Sequence, residues 1–265
     1  MSSRFNNKTV IITGAGSGIG EKTALKFANE GARVVIADIN PTTGNSVADQ
    51  IKKNNGDSLF VETNVAEFNS IDNMVSKTLD EFGIPDILIN NAGINVFGEP
   101  LKMSDSEWKR AFSVDLDGVW FGCKAVLPYM LKNNKGCIVN VASVHGIQII
   151  PNCFPYPVAK HGVIGLTKAL AVDYASKGIK INSISPGYID TPIVDRFFNT
   201  KPDPAAARKV AENHQPIKRM GTTDEIANTI MFMSSDECNY MIGANIVVDG
   251  GITLRMHEND DTGAE

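Results

Sequence analysis

Seven short apolar runs, rich in β-branched residues, lie at 9–12, 32–37, 58–65, 87–90, 137–142, 180–185 and 245–248 of this chain. They alternate with longer segments of helical periodicity at 20–30, 70–82, 108–131, 157–176 and 223–234. Several runs are apolar at every position, as strands buried on both faces are. Strand and helix in alternation predict an α/β fold: a doubly wound parallel sheet of seven strands, helices on both faces, right-handed crossovers. With 265 residues, 43% of them hydrophobic, the chain can fill one large core, and nothing resembling a linker divides it. One domain is expected over residues 1–256, with a polar, acidic, disordered tail at 257–265.

Charge and composition exclude several functions. A net charge of −5 gives no electrostatic case for a nucleic-acid partner. No apolar run approaches the roughly 18 residues of a membrane-spanning helix, and the N-terminus has no apolar signal region. The four cysteines (Cys123, Cys137, Cys153, Cys238) have no metal-type spacing. They fit free thiols in a reducing cytoplasm, with no metal expected.

The first strand runs into Thr13-Gly14-Ala15-Gly16-Ser17-Gly18-Ile19-Gly20, and a helix follows. Glycines let the backbone turn tightly and approach a phosphate, and the helix N-terminus adds amide donors and partial positive charge. The spacing is Gly-x-x-x-Gly-x-Gly, with Ile19 where the strict Gly-x-Gly-x-x-Gly fingerprint has its third glycine. An ordinary strand-to-helix turn is the alternative. Asp38 closes the second strand, where a carboxylate either accepts both hydroxyls of an adenosine ribose or is a solvated loop acid. In the first case it repels a 2′-phosphate, and no Arg or Lys stands at 17, 37 or 39 to hold one, so NAD is expected over NADP. The Asn64 amide either bonds the adenine or ends the third strand. Asn90-Asn91-Ala92-Gly93, after the fourth, is either a ligand-binding strand end or a turn. Together these features predict a Rossmann-type sheet holding a dinucleotide.

Tyr156 and Lys160 are four residues apart, on one face of a helix. A free Tyr has a pKa of about 10, and a nearby cation lowers it. A Tyr tuned in this way exchanges a proton with an alcohol or ketone.

These motifs, with Ser143 and Pro186-Gly187, resemble in order and spacing the motif set of the short-chain dehydrogenase/reductase family, over roughly residues 8–254. The resemblance implies that Tyr156 is the general acid/base and that Lys160 lowers its pKa and holds the nicotinamide ribose. Ser143 would hydrogen-bond the substrate oxygen. Gly14, Ser17, Gly18, Ile19, Gly20, Asp38, Asn64, Val65, Asn91, Ala92 and Gly93 would line the cofactor site. So would Pro186 and Gly187, with the Ile189 backbone and the Thr191 hydroxyl on the carboxamide. The family's assembly implies a homotetramer, with a dimer as the fallback, built on the segments 108–131, 157–176 and 243–251.

The sequence departs from the family twice. Asp115, in Val114-Asp115-Leu116, stands where the family has a relay Asn, so either the relay tolerates a carboxylate or Asp115 carries a proton. Pro155 and Pro157 flank Tyr156. Pro157 suits a first helical turn and pushes the residue before it out of helical geometry, which predicts Tyr156 at the N-cap.

A substrate loop is expected at about 192–220, with a short helix at 202–208. Asn95, His145, Gln148 and Asn152 are candidate pocket residues, and so many polar groups suggest a sugar or polyol. The sequence thus predicts an NAD-dependent oxidoreductase moving a hydride between nicotinamide and a secondary alcohol or ketone. One alternative is a 3-oxoacyl-thioester (acyl-carrier-protein) reductase, and another is a non-catalytic nucleotide-binding scaffold.

Overall fold

The computed structural model describes residues 3–254. The expected tail at 257–265 lies outside the described residues. The expected parallel sheet is present. Its seven strands are β1 (Thr9–Thr13), β2 (Arg33–Asp38), β3 (Ser58–Glu62), β4 (Ile87–Asn90), β6 (Gly136–Val141), β8 (Ile179–Pro186) and β9 (Asn245–Val248). The order across the sheet is β3-β2-β1-β4-β6-β8-β9, with every pairing parallel. A separate antiparallel ribbon pairs β5 (Phe97–Gly98) with β7 (Phe154–Pro155).

Strand alternation explains the layers. Val10, Ile12, Val34, Ile36 and Ile89 point to one face. They pack there against α1 (Gly18–Asn29), α2 (Pro41–Lys53) and α9 (Thr223–Ser234) through Phe27, Ile51 and Ile230. Ile11, Val35, Leu88 and Ile138 point to the other. That face is covered by α3 (Phe68–Phe82), α5 (Gly118–Lys132) and α6 (Tyr156–Tyr174) through Met74, Met130 and Leu170. The strand order reverses between β1 and β4, so a crevice opens beyond their C-terminal ends, where sheets of this kind bind ligands.

The structure corrects four expectations. The third strand stops at Glu62 instead of 65, because Asn64 accepts the Ala66 amide in a local turn that competes with the ladder. Helix α2 is missing from the sequence reading. Its start is nevertheless marked by Pro41 at N1 and by Asn40, whose side chain accepts from the Thr42 and Thr43 amides. The segment expected as one helix at 108–131 begins earlier, at α4 (Asp105–Phe112), where Ser104 and Glu107 form a capping box. It then passes through a π-helical turn at Ser113–Asp117 before α5. The segment 192–220 is largely helical, with α7 (Pro192–Phe198) and α8 (Pro204–His214) each opened by a proline.

Candidate active site

At Gly14 the chain turns with φ +63°, and a Cβ there would sit 2.8 Å from the Ala92 backbone. The loop it opens is tied from both sides of the crevice. Asp38 Oδ2 accepts the Gly16 amide at 2.7 Å, and Oδ1 accepts the Asn40 amide at 2.9 Å. Asn91 Nδ2 donates to the carbonyls of Thr13 and Gly14 at 3.0 and 3.1 Å. Thr13 Oγ1 accepts the amides of Asn91 and Ala92. Asn90 turns inward and donates to Asn140, which donates to Thr167 and so joins β4, β6 and α6.

A cleft of about 630 Å³ runs from Asp38 over this loop to Tyr156. Every expected cofactor residue except Gly20 lines it, together with Ser143 and Asn95. Gly20 is buried beneath the loop, where a Cβ would collide with the Gly14 carbonyl. The sequence reading missed Asn40, Thr43, Thr63 and Arg196 in the lining. Asn40 and Thr43 are brought together at the cap of α2, and the register β2↔β3 sets Thr63 beside Asp38.

Tyr156 is the first residue of α6, and Pro155 is its N-cap. The expected N-cap position for Tyr156 is therefore displaced by one residue. Pro157, already inside the first turn, needs no amide partner there, so Tyr156 keeps helical geometry and the Tyr–Lys face survives. Lys160 is only 3% exposed. Its Nζ lies 5.4 Å from the Tyr156 ring centroid and donates to the Val141 carbonyl at 3.2 Å. Ser143 Oγ accepts the His145 amide at 3.1 Å and lines the cleft with Tyr156.

The net shift of the Tyr156 phenol pKa is upward. Desolvation of the hydroxyl raises it, the Asp115 carboxylate raises it further, and these outweigh the expected lowering by Lys160 and the lowering by the Ser143 hydroxyl. Tyr156 therefore holds its proton at neutral pH.

Asp115 sits behind the cleft on the π-helical turn, fully buried. Oδ1 accepts the Ile94 amide at 3.0 Å and lies 3.7 Å from Lys160 Nζ. Oδ2 is buried with no hydrogen-bond partner. Burial raises the carboxyl pKa to about 6, against the pull of Lys160 and the Ile94 amide. Gly93 makes the approach possible, since a Cβ there would stand 2.9 Å from Asp115 Oδ1.

The four substrate-side candidates divide. Asn95 lines the cleft, and the His145 ring meets Tyr156 edge-on at 5.9 Å. Gln148 and Asn152 do not line it. The Gln148 side chain donates outward to the Thr253 carbonyl, and Asn152 is an exposed residue with φ +62°. The polyol expectation loses half of its support here.

A family model described as "Enoyl-(Acyl carrier protein) reductase" matches residues 14–253. A cyclohexanol dehydrogenase of Acinetobacter sp. (strain SE19) is 40% identical over 96% of this chain and 98% of its own. The 3-oxoacyl-[acyl-carrier-protein] reductase FabG of Thermotoga maritima is 37% identical over 95% of this chain and 100% of its own. The crystal structure of a levodione reductase superposes with a TM-score of 0.91 at 36% identity, covering 96% of this chain and 100% of that one.

The chain belongs to the short-chain dehydrogenase/reductase family.

As a member of this family it is an oxidoreductase that uses a nicotinamide cofactor. Its residues fit that group. Glycines line the cleft at the start of α1, a carboxylate closes one end, and the half-buried Tyr156 with buried Lys160 and Ser143 closes the other. No helix among the described residues is long and apolar enough to cross a membrane.

Proposed function

We propose that this short-chain dehydrogenase/reductase is a cytoplasmic, NAD-dependent enzyme that interconverts secondary alcohols and ketones, with Tyr156 as the proton-transfer group. The observation that carries this is the convergence of Ser143, Tyr156 and the buried Lys160 at one end of a cleft whose other end is Asp38. The similarity to a cyclohexanol dehydrogenase and a levodione reductase supports this class of reaction. Four buried free thiols are consistent with a reducing compartment.

A bound nicotinamide supplies or accepts the hydride. Gly14, Ser17, Gly18 and Ile19 would hold its phosphates, and Asp38 its adenosine ribose. Lys160 would meet the nicotinamide ribose, with Ile189 and Thr191 at the carboxamide. In ketone reduction the Tyr156 Oη proton passes to the carbonyl oxygen as that oxygen gains charge. The Ser143 hydroxyl donates to the same oxygen. In alcohol oxidation Tyr156 must first lose its proton, so that direction gains with rising pH. Lys160 steadies the phenolate, and Asp115 tempers this pull.

The likeness to a 3-oxoacyl-[acyl-carrier-protein] reductase supports a second reading, reduction of a 3-oxoacyl thioester. The test is a screen of secondary alcohols with NAD and NADP, following absorbance of the reduced cofactor, and of acetoacetyl-CoA with NADH and NADPH. NADH formation from simple secondary alcohols is expected. Turnover of acetoacetyl-CoA with NADPH alone would replace the first reading by the second.

For assembly we propose a homotetramer, with a dimer as the fallback. Trp120 on α5, Val158 and Val172 on α6, and Phe232 and Val247 near the C-terminal edge are large apolar side chains left exposed. A monomer mass by light scattering at micromolar concentration would refute this.

A further inference from the structure

The β5–β7 ribbon has only two residues per strand, and its register pairs Phe97 with Pro155, the neighbour of Tyr156. This fixes the Phe97 ring edge-on to the Tyr156 ring, with centroids 5.4 Å apart at 81°. The same ring meets Phe197 of α7 edge-on, at 5.6 Å and 83°. Phe97 thus bridges the Tyr156 ring and helix α7. Phe197 is held in turn by Phe198 and by Lys201 over its face at 4.4 Å. On another side of Tyr156 stands His145, whose imidazole pKa is lowered by burial. The Cys153 thiol is also buried close to Tyr156 and Tyr188. The charged pair Lys160 and Asp115 lies together behind Tyr156. Apart from Ser143 and Asn95 in the cleft, the groups gathered around the phenol are therefore aromatic edges, a neutral imidazole and a thiol.

Resting on the dehydrogenase reading above, we propose that Phe97 and Phe197 form an aromatic clamp over Tyr156 that selects compact, apolar ring alcohols and ketones and rejects polyhydroxylated ones. A saturated ring brings C–H groups that pack against aromatic edges. Each additional hydroxyl placed against the Phe97 and Phe197 edges would lose its water partners and find no acceptor or donor on those rings. The clamp sets specificity through packing, so it acts on substrate binding and leaves cofactor binding alone.

A pair of probes with one ring skeleton tests this: cyclohexanol and myo-inositol, each with NAD. In the unmodified protein kcat/KM for cyclohexanol should exceed that for myo-inositol by about 100-fold or more. Phe97→Ala should raise KM for cyclohexanol about tenfold with a smaller change in kcat, and NADH affinity by fluorescence titration should not move. Phe97→Leu should recover much of the loss, and Phe197→Ala should repeat the KM effect from the other side of the clamp. Comparable turnover of the two alcohols by the unmodified protein would overturn the clamp and leave the dehydrogenase reading standing. That measurement needs no variant to fold. An unchanged KM in both alanine variants would also overturn the clamp. Failure to turn over cyclohexanol and cyclohexanone while other secondary alcohols in the screen are oxidised would overturn the clamp alone, and failure of the whole screen would overturn both readings.

Discussion

Lys160 Nζ lies 3.7 Å from Asp115 Oδ1, and neither side chain has appreciable contact with solvent. The ammonium does not fully compensate the carboxylate, because Asp115 Oδ2 is left without a partner. Burial lifts the Asp115 pKa from 3.8 to about 6 in the folded protein. The folded state then binds this proton more tightly than the unfolded state does. The associated stability is fully present below about pH 4 and is lost as pH rises through 6. At about 1.4 kcal/mol per pKa unit, the ionised carboxyl costs about 3 kcal/mol. Asp115→Asn keeps the shape and removes the charge. It should be more stable than the parent at pH 8 by up to that amount and should converge with it near pH 4. Denaturant unfolding of both proteins at the two pH values checks this, and equal stability at pH 8 would contradict it.

The same substitution should move catalysis. The Asp115 charge raises the pKa of Tyr156. Removing it should shift the pH–rate profile of alcohol oxidation to lower pH, because the phenolate forms more readily. The measurement is kcat/KM against pH for parent and variant. A loss of activity at every pH would instead mean that the carboxylate itself carries a proton during turnover.

Tyr156→Phe deletes only the hydroxyl that the mechanism uses. General acid–base groups contribute about 10²–10⁴-fold, so activity should fall by at least about 100-fold while NADH binding persists. Lys160→Ala should lose activity and also weaken cofactor binding, because the proposed mechanism uses its ammonium for both. Retention of most of the parent rate by Tyr156→Phe would overturn the proposed chemistry.

Most of the sheet was legible in the chain because its strands are buried on both faces and read as unbroken apolar runs, as at Val34–Ala37 and Ile87–Ile89. The glycine loop was legible for a different reason: Gly14 occupies a conformation that few other residues adopt. Helix α2 was hidden by its polar composition, since only Gly44, Val47, Ala48 and Ile51 face the core. The lowering of the phenol pKa by Lys160 was legible in sequence, and the opposing desolvation of the Tyr156 hydroxyl was not. Phe97 carried no local signal at all. A two-residue ribbon closed across more than fifty positions, Phe97↔Pro155, sets its place over Tyr156. For the same reason Gln148 and Asn152, close to Tyr156 in sequence, point elsewhere in space.

Cofactor choice turns on Asp38. Its two oxygens are already fixed by the Gly16 and Asn40 amides, so the carboxylate cannot swing aside to admit a phosphate. Its neighbours in the cleft are Ile39, Asn40 and Thr43, which bring no positive charge. Among the described residues that line the cleft the cations are Lys160, paired with Asp115, and Arg196 on α7. Like charges forced together cost several kcal/mol, and each 1.4 kcal/mol is tenfold. The parent should therefore prefer NAD over NADP in kcat/KM on the order of 100-fold or more. Asp38→Ala removes the repulsion and should narrow that gap from both sides, since the ribose of NAD loses its acceptor too. Adding Ile39→Arg to Asp38→Ala supplies a cation beside the freed position and should carry the preference to NADP. The expected order of the NAD/NADP ratio is parent, single variant, double variant, measured on one alcohol at one pH. Equal kcat/KM for the two cofactors in the parent would remove Asp38 from this role.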